Sequence, residues 1–152
     1  IVSLHKAPDD FHARFSAVAK TYEYVIYLGA KEPFLIDKVM FYPFAFNLDN
    51  FNESALHFVG THNFQNFTSK SEDEQNFVRT ITEFKARKLG KKIIVTISGT
   101  GFMRGVMIGT LIALNEKKVQ SDFIITKLNE NERNLVTYKV TGEGLYLKKV
   151  FY

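Results

Sequence analysis

Cationic and aromatic residues lie close together near the amino-terminal end of the sequence. His12, Arg14 and Lys20 precede Tyr22, which opens a run rich in aromatic and β-branched residues. Such a run is typical of a β-strand. A cationic loop that leads into an aromatic strand can hold an RNA phosphate and stack an unpaired base. An ordinary surface loop followed by a core strand fits the same pattern, so both interpretations stay open.

A glycine-bounded turn contains the most unusual cation of the sequence. Gly99, Gly101 and Gly105 surround Arg104 at the start of an apolar segment. The spacing lacks the full glycine pattern of a dinucleotide-binding turn and the lysine of a P-loop, so a tight strand-to-helix bend is the simpler explanation. An arginine in apolar surroundings usually has an anionic partner. We therefore expect Arg104 to meet a carboxylate from elsewhere in the fold, one from a segment outside this sequence, or a ligand phosphate.

Metal-dependent chemistry and nucleophilic catalysis have little support. The four histidines lack metal-ligand spacing, and the absence of cysteine excludes thiolate nucleophiles, disulfides and Cys-ligated metals. Asp9 and Asp10 directly follow Pro8, where turn formation explains them more simply than a catalytic carboxylate pair does. No Ser-His-Asp spacing is evident.

Composition indicates a globular chain with a basic balance. The 152 residues suit one domain, or half of a larger one. Hydrophobic residues make up 45% and charged residues 24%, and the net charge of +4 permits nucleic-acid binding without requiring it. No apolar run has the length of a membrane helix. Because Ile1 is not a methionine and already looks like part of a strand, we expect the chain to be cut from a longer protein.

Periodicity predicts an α+β fold, with a mostly antiparallel mixed sheet and helices packed on one face. Gly105 and Gly109 lie inside one predicted helix, where each costs roughly 1 kcal/mol, so we expect another backbone to pack closely there. Residues 77, 79, 81, 83, 85 and 87 are expected to share one face of a strand, and residues 61–67 to be compact, aromatic and polar, outside the predicted strands and helices. The predicted strands cover residues 1–4, 21–28, 39–42, 77–89, 93–98 and 145–151; a hairpin turn covers 90–92, and helices cover 47–59 and 103–115. Residues 122–128 are expected to form a shorter helix or an extended linker.

A series of short motifs resembles, in order, the second half of the tRNA pseudouridine synthase A family. The motifs are DDFHARFSA, KTYEYVIY, FVGTHNFQNF, VRTI, GTGFMRG with IGTL, and EGLYL. The resemblance implies a pseudouridine-synthase fold of which residues 1–152 form the carboxy-terminal half of the catalytic domain. It also implies isomerisation of uridine to pseudouridine in the anticodon stem-loop of tRNAs (positions 38 to 40), without a cofactor, by a cytoplasmic homodimer.

The resemblance assigns roles to individual residues. Tyr22 matches a tyrosine that stacks on the target uracil, and Leu145 matches a leucine on the other side of the uracil pocket. Arg14 matches an arginine that helps to extrude the base. Two stretches match tRNA-contacting segments, and they consist of Phe11, His12, Ala13, Arg14 and Phe15, and of Phe67, Thr68, Ser69, Lys70 and Ser71.

Two departures from the family pattern affect catalysis. The family carries its catalytic aspartate in an arginine-threonine-aspartate-glycine motif, which this sequence lacks, so the nucleophile is expected from a missing amino-terminal half. The family also has a longer segment between Phe102 and Gly109. Its arginine there pairs with the aspartate and falls on Gly105 or Ile108, depending on the counting direction. Either Arg104 replaces it, or the native segment is missing from this sequence.

Three hypotheses therefore follow from the sequence. The first is half of an RNA-modifying enzyme. The second is a non-catalytic tRNA-binding module, and the third is a structural α+β domain whose motifs serve only packing. The third would gain support if Tyr22 and Leu145 lay on opposite sides of the molecule.

Overall fold

A mixed β-sheet forms the frame of the protein in the computed structural model, which describes residues 4–68, 76–101 and 103–152. Three α-helices and short 3-10 turns accompany the sheet in these ranges. The strands are β1 (Ala19–Leu28), β2 (Met40–Tyr42), β3 (Gly60–Asn63), β4 (Val78–Leu89), β5 (Lys92–Gly99) and β6 (Leu145–Phe151). The helices are α1 (Leu48–Ala55), α2 (Arg104–Asn115) and α3 (Phe123–Asn129).

Strand β1 lies at the centre of the site-bearing part of the sheet. The order β2-β1-β5-β4-β3 places β5 along one edge of β1, while β2 and β6 share the other edge. Only the β1–β2 pairing is parallel among the described strands. This arrangement confirms the predicted α+β class and its mostly antiparallel mixed sheet.

The helices pack on one face of the sheet, as predicted. Tyr24 and Ile26 of β1 share that face with Val95 and Ile97 of β5, and all four are at most 2% exposed. Helix α2 buries Met107, Ile108 and Leu111 in the same cluster. Burial of each large apolar side chain contributes roughly 1.5–3 kcal/mol, so this cluster holds α2 against the strands.

Local signals confirm several predicted boundaries. The side chain of Asn47 accepts a hydrogen bond from the Asn50 amide at 3.0 Å and caps α1. Gly90, with φ of 58°, forms the hairpin turn between β4 and β5. No described helix is both long and apolar enough to cross a membrane.

The close backbone approach predicted at the helical glycines is confirmed at Gly109. A Cβ atom built on Gly109 would lie 2.6 Å from the Lys139 nitrogen and 2.7 Å from its Cα. The Gly105 carbonyl accepts a hydrogen bond from the Val140 amide at 3.0 Å. The two glycines therefore let residues 138–140 lie directly on α2.

The predicted face alternation of β4 is wrong beyond Ile81. A β-bulge shifts the register between Ile81, opposite Gly99, and Glu83, opposite Ser98. As a result Ile81, Phe84 and Ala86 are all buried, although Ile81 and Phe84 differ in parity. A period of two cannot reveal one extra residue, since the bulge is set by pairing with β5.

Three other predictions differ from the structure. Residues 61–67 begin as strand β3, because His62 and its neighbours pair with β4. Helix α1 ends at Ala55 and continues as the 3-10 turn Leu56–Phe58, so Gly60 opens β3 instead of closing the helix. Leu4 lies outside any strand and is 89% exposed; Ile1 to Ser3, the rest of the predicted first strand, lie outside the described residues.

Candidate functional site

Arg104 and Tyr22 meet where helix α2 begins, next to the first half of strand β1. The guanidinium carbon of Arg104 lies 3.9 Å from the centroid of the Tyr22 ring. Both side chains are half-buried. A guanidinium at this distance is attracted to the ring face by a cation–π interaction. The contact fixes the arginine at the positive end of the helix, next to an aromatic surface.

An apolar cavity of about 420 Å³ lies on one side of Arg104. Tyr24, Leu145 and Val136 contribute to its wall, and Arg104 closes one edge. The volume falls within the range of small-ligand pockets. We call this space the apolar cavity; it offers hydrophobic surface beside two cations, Arg104 and Lys139.

A second cavity of about 260 Å³ lies on the other side of Arg104. Its wall includes Arg14, Lys20 and Tyr22, together with Thr100. We call it the cationic cavity, since its described lining includes three positive side chains and no carboxylate. Such a set of donors suits a phosphate.

The residues predicted to clamp a base lie on the same face of neighbouring strands. Tyr24 is opposite Leu145 and Tyr22 is opposite Leu147 in the β1–β6 register. Tyr22 borders the cationic cavity and Leu145 the apolar cavity, so Arg104 stands between them. The structure thus places Tyr22 and Leu145 on one side of the molecule.

The loop that carries Arg14 is ordered by His12. The Nδ1 atom of His12 accepts hydrogen bonds from the amides of Arg14, at 3.2 Å, and Phe15, at 3.3 Å. The Tyr152 hydroxyl donates to the Ala13 carbonyl at 3.2 Å, and the Phe11 ring lies 4.8 Å from the Tyr152 ring. These contacts join residues 11–15 to the end of β6 and leave Arg14 and Phe15 exposed.

The second predicted RNA-contacting stretch begins inside the core. Phe67 is 1% exposed and packs edge-on against Phe58 at 5.2 Å. Phe67 and Thr68 also line the apolar cavity. Ser69, Lys70 and Ser71 lie outside the described residues.

Within residues 4–68, 76–101 and 103–152, neither cavity has a carboxylate in its lining. Arg104 forms no ion pair with any residue that the structure describes. Asp9 and Asp10 lie on an exposed turn, as the sequence predicted. No group of three or more potential metal ligands occurs among the described residues. Arg104 is therefore a half-buried cation without an acidic partner in the described chain.

Tyr24 is a site residue that the sequence analysis did not assign. Its hydroxyl donates to the Thr141 carbonyl at 2.9 Å, and burial raises the pKa of Tyr24 to about 12. The neutral hydroxyl therefore ties the wall of the apolar cavity to β1. The alternation of Tyr22 and Tyr24 on one strand face was the sequence signal that could have indicated it.

Comparison with known proteins identifies the chain's relatives. A sequence model described as tRNA pseudouridine synthase matches residues 55–152. Proteins called tRNA pseudouridine synthase A are similar over nearly the whole chain. One from Streptococcus uberis is 34% identical over 99% of this chain and 63% of its own length. One from Staphylococcus saprophyticus is 33% identical over 94% and 55%, and one from Streptococcus thermophilus is 35% identical over 100% and 64%.

The chain thus spans about three fifths of the length of these relatives. The match to the family covers more than half of the chain and includes β4, β5, α2 and β6, which carry Arg104 and Leu145. By sequence, the chain belongs to the tRNA pseudouridine synthase family.

Proposed function

We propose that the whole protein isomerises uridine to pseudouridine in the anticodon stem-loop of tRNAs, and that these 152 residues form the carboxy-terminal half of its catalytic domain. The observation that carries the proposal is the position of Arg104, held against Tyr22 between an apolar and a cationic cavity. The two cavities suit the two parts of a nucleotide: the apolar cavity suits the flat base, and the cationic cavity suits the charged phosphate.

The uracil would enter between Tyr22 and Leu145 as the Arg104 guanidinium, which covers the Tyr22 ring in this structure, turns away from that ring. An extruded base is stabilised by stacking on a planar ring, because its apolar faces leave water. Leu145 supplies the facing aliphatic surface from β6, on the same side of the sheet. The apolar cavity beyond Arg104 gives the ring room to turn after its glycosidic bond breaks.

The nucleotide backbone would lie at the cationic cavity. Arg14 projects from the loop that His12 orders, and Lys20 follows at the start of β1. Their positive charges attract phosphate and hold the nucleotide outside its stem. The same loop brings exposed Phe15, with Phe11, His12 and Ala13, to the RNA surface. The stretch from Phe67 to Ser71 is the second proposed contact, in which Phe67 itself is buried and lines the apolar cavity.

The catalytic carboxylate would come from an amino-terminal half. Isomerisation breaks the bond between N1 of uracil and C1′ of the ribose and joins C1′ to C5 of the same ring, while C5 loses its proton and N1 gains one. No electrons are lost or gained, so the reaction requires no redox cofactor. Arg104 would orient the aspartate, because an unpaired half-buried guanidinium strongly favours an anionic neighbour.

The proposal extends to assembly and location. The full-length enzyme acts as a homodimer in the cytoplasm, where its tRNA substrates are found. The homodimer is testable by light scattering of the full-length protein at the concentration of the activity assay.

A pseudouridylation assay of the full-length protein tests the function. Tyr22→Ala should lower kcat/KM by about tenfold to a hundredfold, since stacking contributes roughly 1–3 kcal/mol per base. Tyr22→Phe is the matched control, because it keeps the ring and should retain most activity. Unchanged turnover in Tyr22→Ala would reject the role given to Tyr22.

A non-catalytic tRNA-binding module is the second candidate. It is favoured by the cavity linings, which hold no carboxylate among the residues that the structure describes. A gel shift of this chain with tRNA, beside an activity assay of the same sample, separates the candidates. A shifted band without pseudouridine would support binding alone for this chain, whereas product formation would show a complete active site.

A further inference from the structure

Four cations gather at the end of the β4–β5 hairpin. Arg87 and Lys88 lie near the end of β4, Lys91 lies in the turn and Lys92 begins β5. Arg87, Lys88 and Lys91 are exposed, and Lys92 is half-buried. None of the four pairs with a carboxylate among the described residues. We call these four residues the basic tip.

The basic tip carries four positive charges, a number equal to the net positive charge of the whole chain. The sequence has 20 Lys and Arg against 16 Asp and Glu, which leaves a net charge of +4. All other cations are thus matched in number by acids. Nearby Lys85 illustrates the difference, since it forms an ion pair with Glu83. An unbalanced cluster of this kind attracts polyanions.

The backbone of the basic tip is held rigidly against the sheet. The Lys91 carbonyl accepts a hydrogen bond from the Leu28 amide at 2.7 Å, and Lys92 pairs with Tyr27 of β1. The Lys91 ammonium lies 6.0 Å from the Tyr27 ring centroid. These contacts fix where the charges emerge, so binding orders fewer groups than it would on a free loop.

The basic tip is too far from the site to contact the nucleotide in it. Tyr22 is opposite Ile97 and Tyr27 is opposite Lys92, so five residue steps of β5 separate the two ends. At about 3.4 Å per residue, the separation is roughly 17 Å. A helical arm of RNA carries phosphates along such a distance, whereas a single nucleotide does not span it.

We propose that the basic tip binds the sugar-phosphate backbone of the tRNA outside the target loop, roughly 17 Å from the uridine. The inference rests on the proposed function for the identity of the RNA. The contact depends on the phosphate charge and the helical shape of the RNA and not on its base sequence, because flexible lysines act as point charges on phosphates. It extends the contact between the enzyme and the tRNA beyond the target loop.

The test neutralises the basic tip in the full-length protein with Arg87→Gln, Lys88→Gln, Lys91→Gln and Lys92→Gln together. Filter binding then measures Kd against salt concentration for whole tRNA and for an isolated anticodon stem-loop. The slope of log K against log salt for whole tRNA should become shallower by about 2 to 3, because each phosphate that the protein neutralises accounts for roughly 0.9 of the slope. Affinity for whole tRNA should fall at least about tenfold at moderate salt, and the decrease should be clearly smaller for the stem-loop.

The matched control removes the same charge elsewhere. Lys31, Lys38, Lys117 and Lys118 are all exposed, and none borders the apolar or the cationic cavity. Changing these four to Gln should leave the salt slope for whole tRNA within experimental error of the unchanged protein. An equal decrease in slope in both variants would show that only net charge matters, which would overturn the inference.

Two further outcomes would overturn it. One is that the basic-tip variant loses the same affinity for whole tRNA as for the isolated stem-loop, or loses affinity for neither. The other is loss of binding to vesicles of phosphatidylserine while tRNA binding stays unchanged, which would assign the basic tip to a membrane surface.

Pseudouridine formation on the stem-loop by the unchanged protein is measured separately. Its absence would reject the proposed function, whereas a length-dependent loss of binding would still support the basic tip as an RNA contact.

Discussion

The guanidinium of Arg104 covers the ring of Tyr22, with 3.9 Å between the guanidinium carbon and the ring centroid. The contact joins the first residue of α2 to a residue near the start of β1, and the two cavities meet there. A half-buried guanidinium in this position can form an ion pair with a carboxylate or a phosphate.

Arg104 should therefore matter more for turnover than for folding. In the full-length enzyme we expect Arg104→Met to lower kcat by about a hundredfold or more, the magnitude typical for removal of one electrostatic contact at a reacting centre. Arg104→Lys should recover part of the activity, because it restores charge but not the planar fork. Single-turnover rates and thermal unfolding of each variant check this. Equal kcat in all three proteins would contradict it.

Gly109 should not tolerate a side chain. A Cβ there would lie 2.6 Å from the Lys139 nitrogen, so Gly109→Ala must move residues 138–140 away from α2. We expect the free energy of unfolding to fall by about 1–3 kcal/mol despite the better helix propensity of alanine. Gly142→Ala is the control, since nothing lies within 4 Å of its added Cβ. Denaturant unfolding measures both, and equal stabilities would contradict the packing argument.

Tyr24 should make stability depend on alkaline pH. Burial raises its pKa in the folded protein to about 12, above the ordinary value of 10.0. The protonated hydroxyl is favoured in the folded state, so its contribution is fully present below pH 10 and is lost as pH rises through 12. The decrease in stability amounts to roughly 2–3 kcal/mol, at about 1.4 kcal/mol for each pH unit.

The comparison with Tyr24→Phe isolates this effect. The difference in unfolding free energy between the two proteins should stay constant up to pH 10 and then change by pH 12 in favour of the phenylalanine variant. Burial also raises the pKa of Tyr42, but this contribution is common to both proteins and cancels in the difference. Parallel pH profiles would contradict the role of Tyr24.

Asn52 should stabilise the open edge of β4. Its side-chain amide donates to the Ala86 carbonyl at 3.0 Å, and its carbonyl accepts from the Ala86 amide at 2.7 Å. Asn52→Ala leaves both backbone groups without these partners and should cost about 1–3 kcal/mol. Exposed Glu53→Ala is the neighbouring control. Hydrogen exchange at the Ala86 amide should accelerate only in the first variant, and equal protection would refute the contact.

Local sequence signals determined most of the elements and the family. The Asn47 cap, the Gly90 turn and the aromatic run of β1 act within a few residues, so their consequences could be predicted directly. The two helical glycines also predicted a close neighbour, because their cost in a helix needs compensation from packing. The order of the motifs along the chain was sufficient to indicate the family.

Tertiary structure alone decided how these parts meet. The bulge after Ile81 and the strand at His62 depend on pairing with β5 and β4, which local periodicity does not encode. The contact of Arg104 with Tyr22 joins positions far apart in sequence, and the hydrogen bond from Tyr24 to Thr141 does the same. Sequence specified which side chains were available, but their neighbours follow from long-range packing, where shape and burial outweigh local preference.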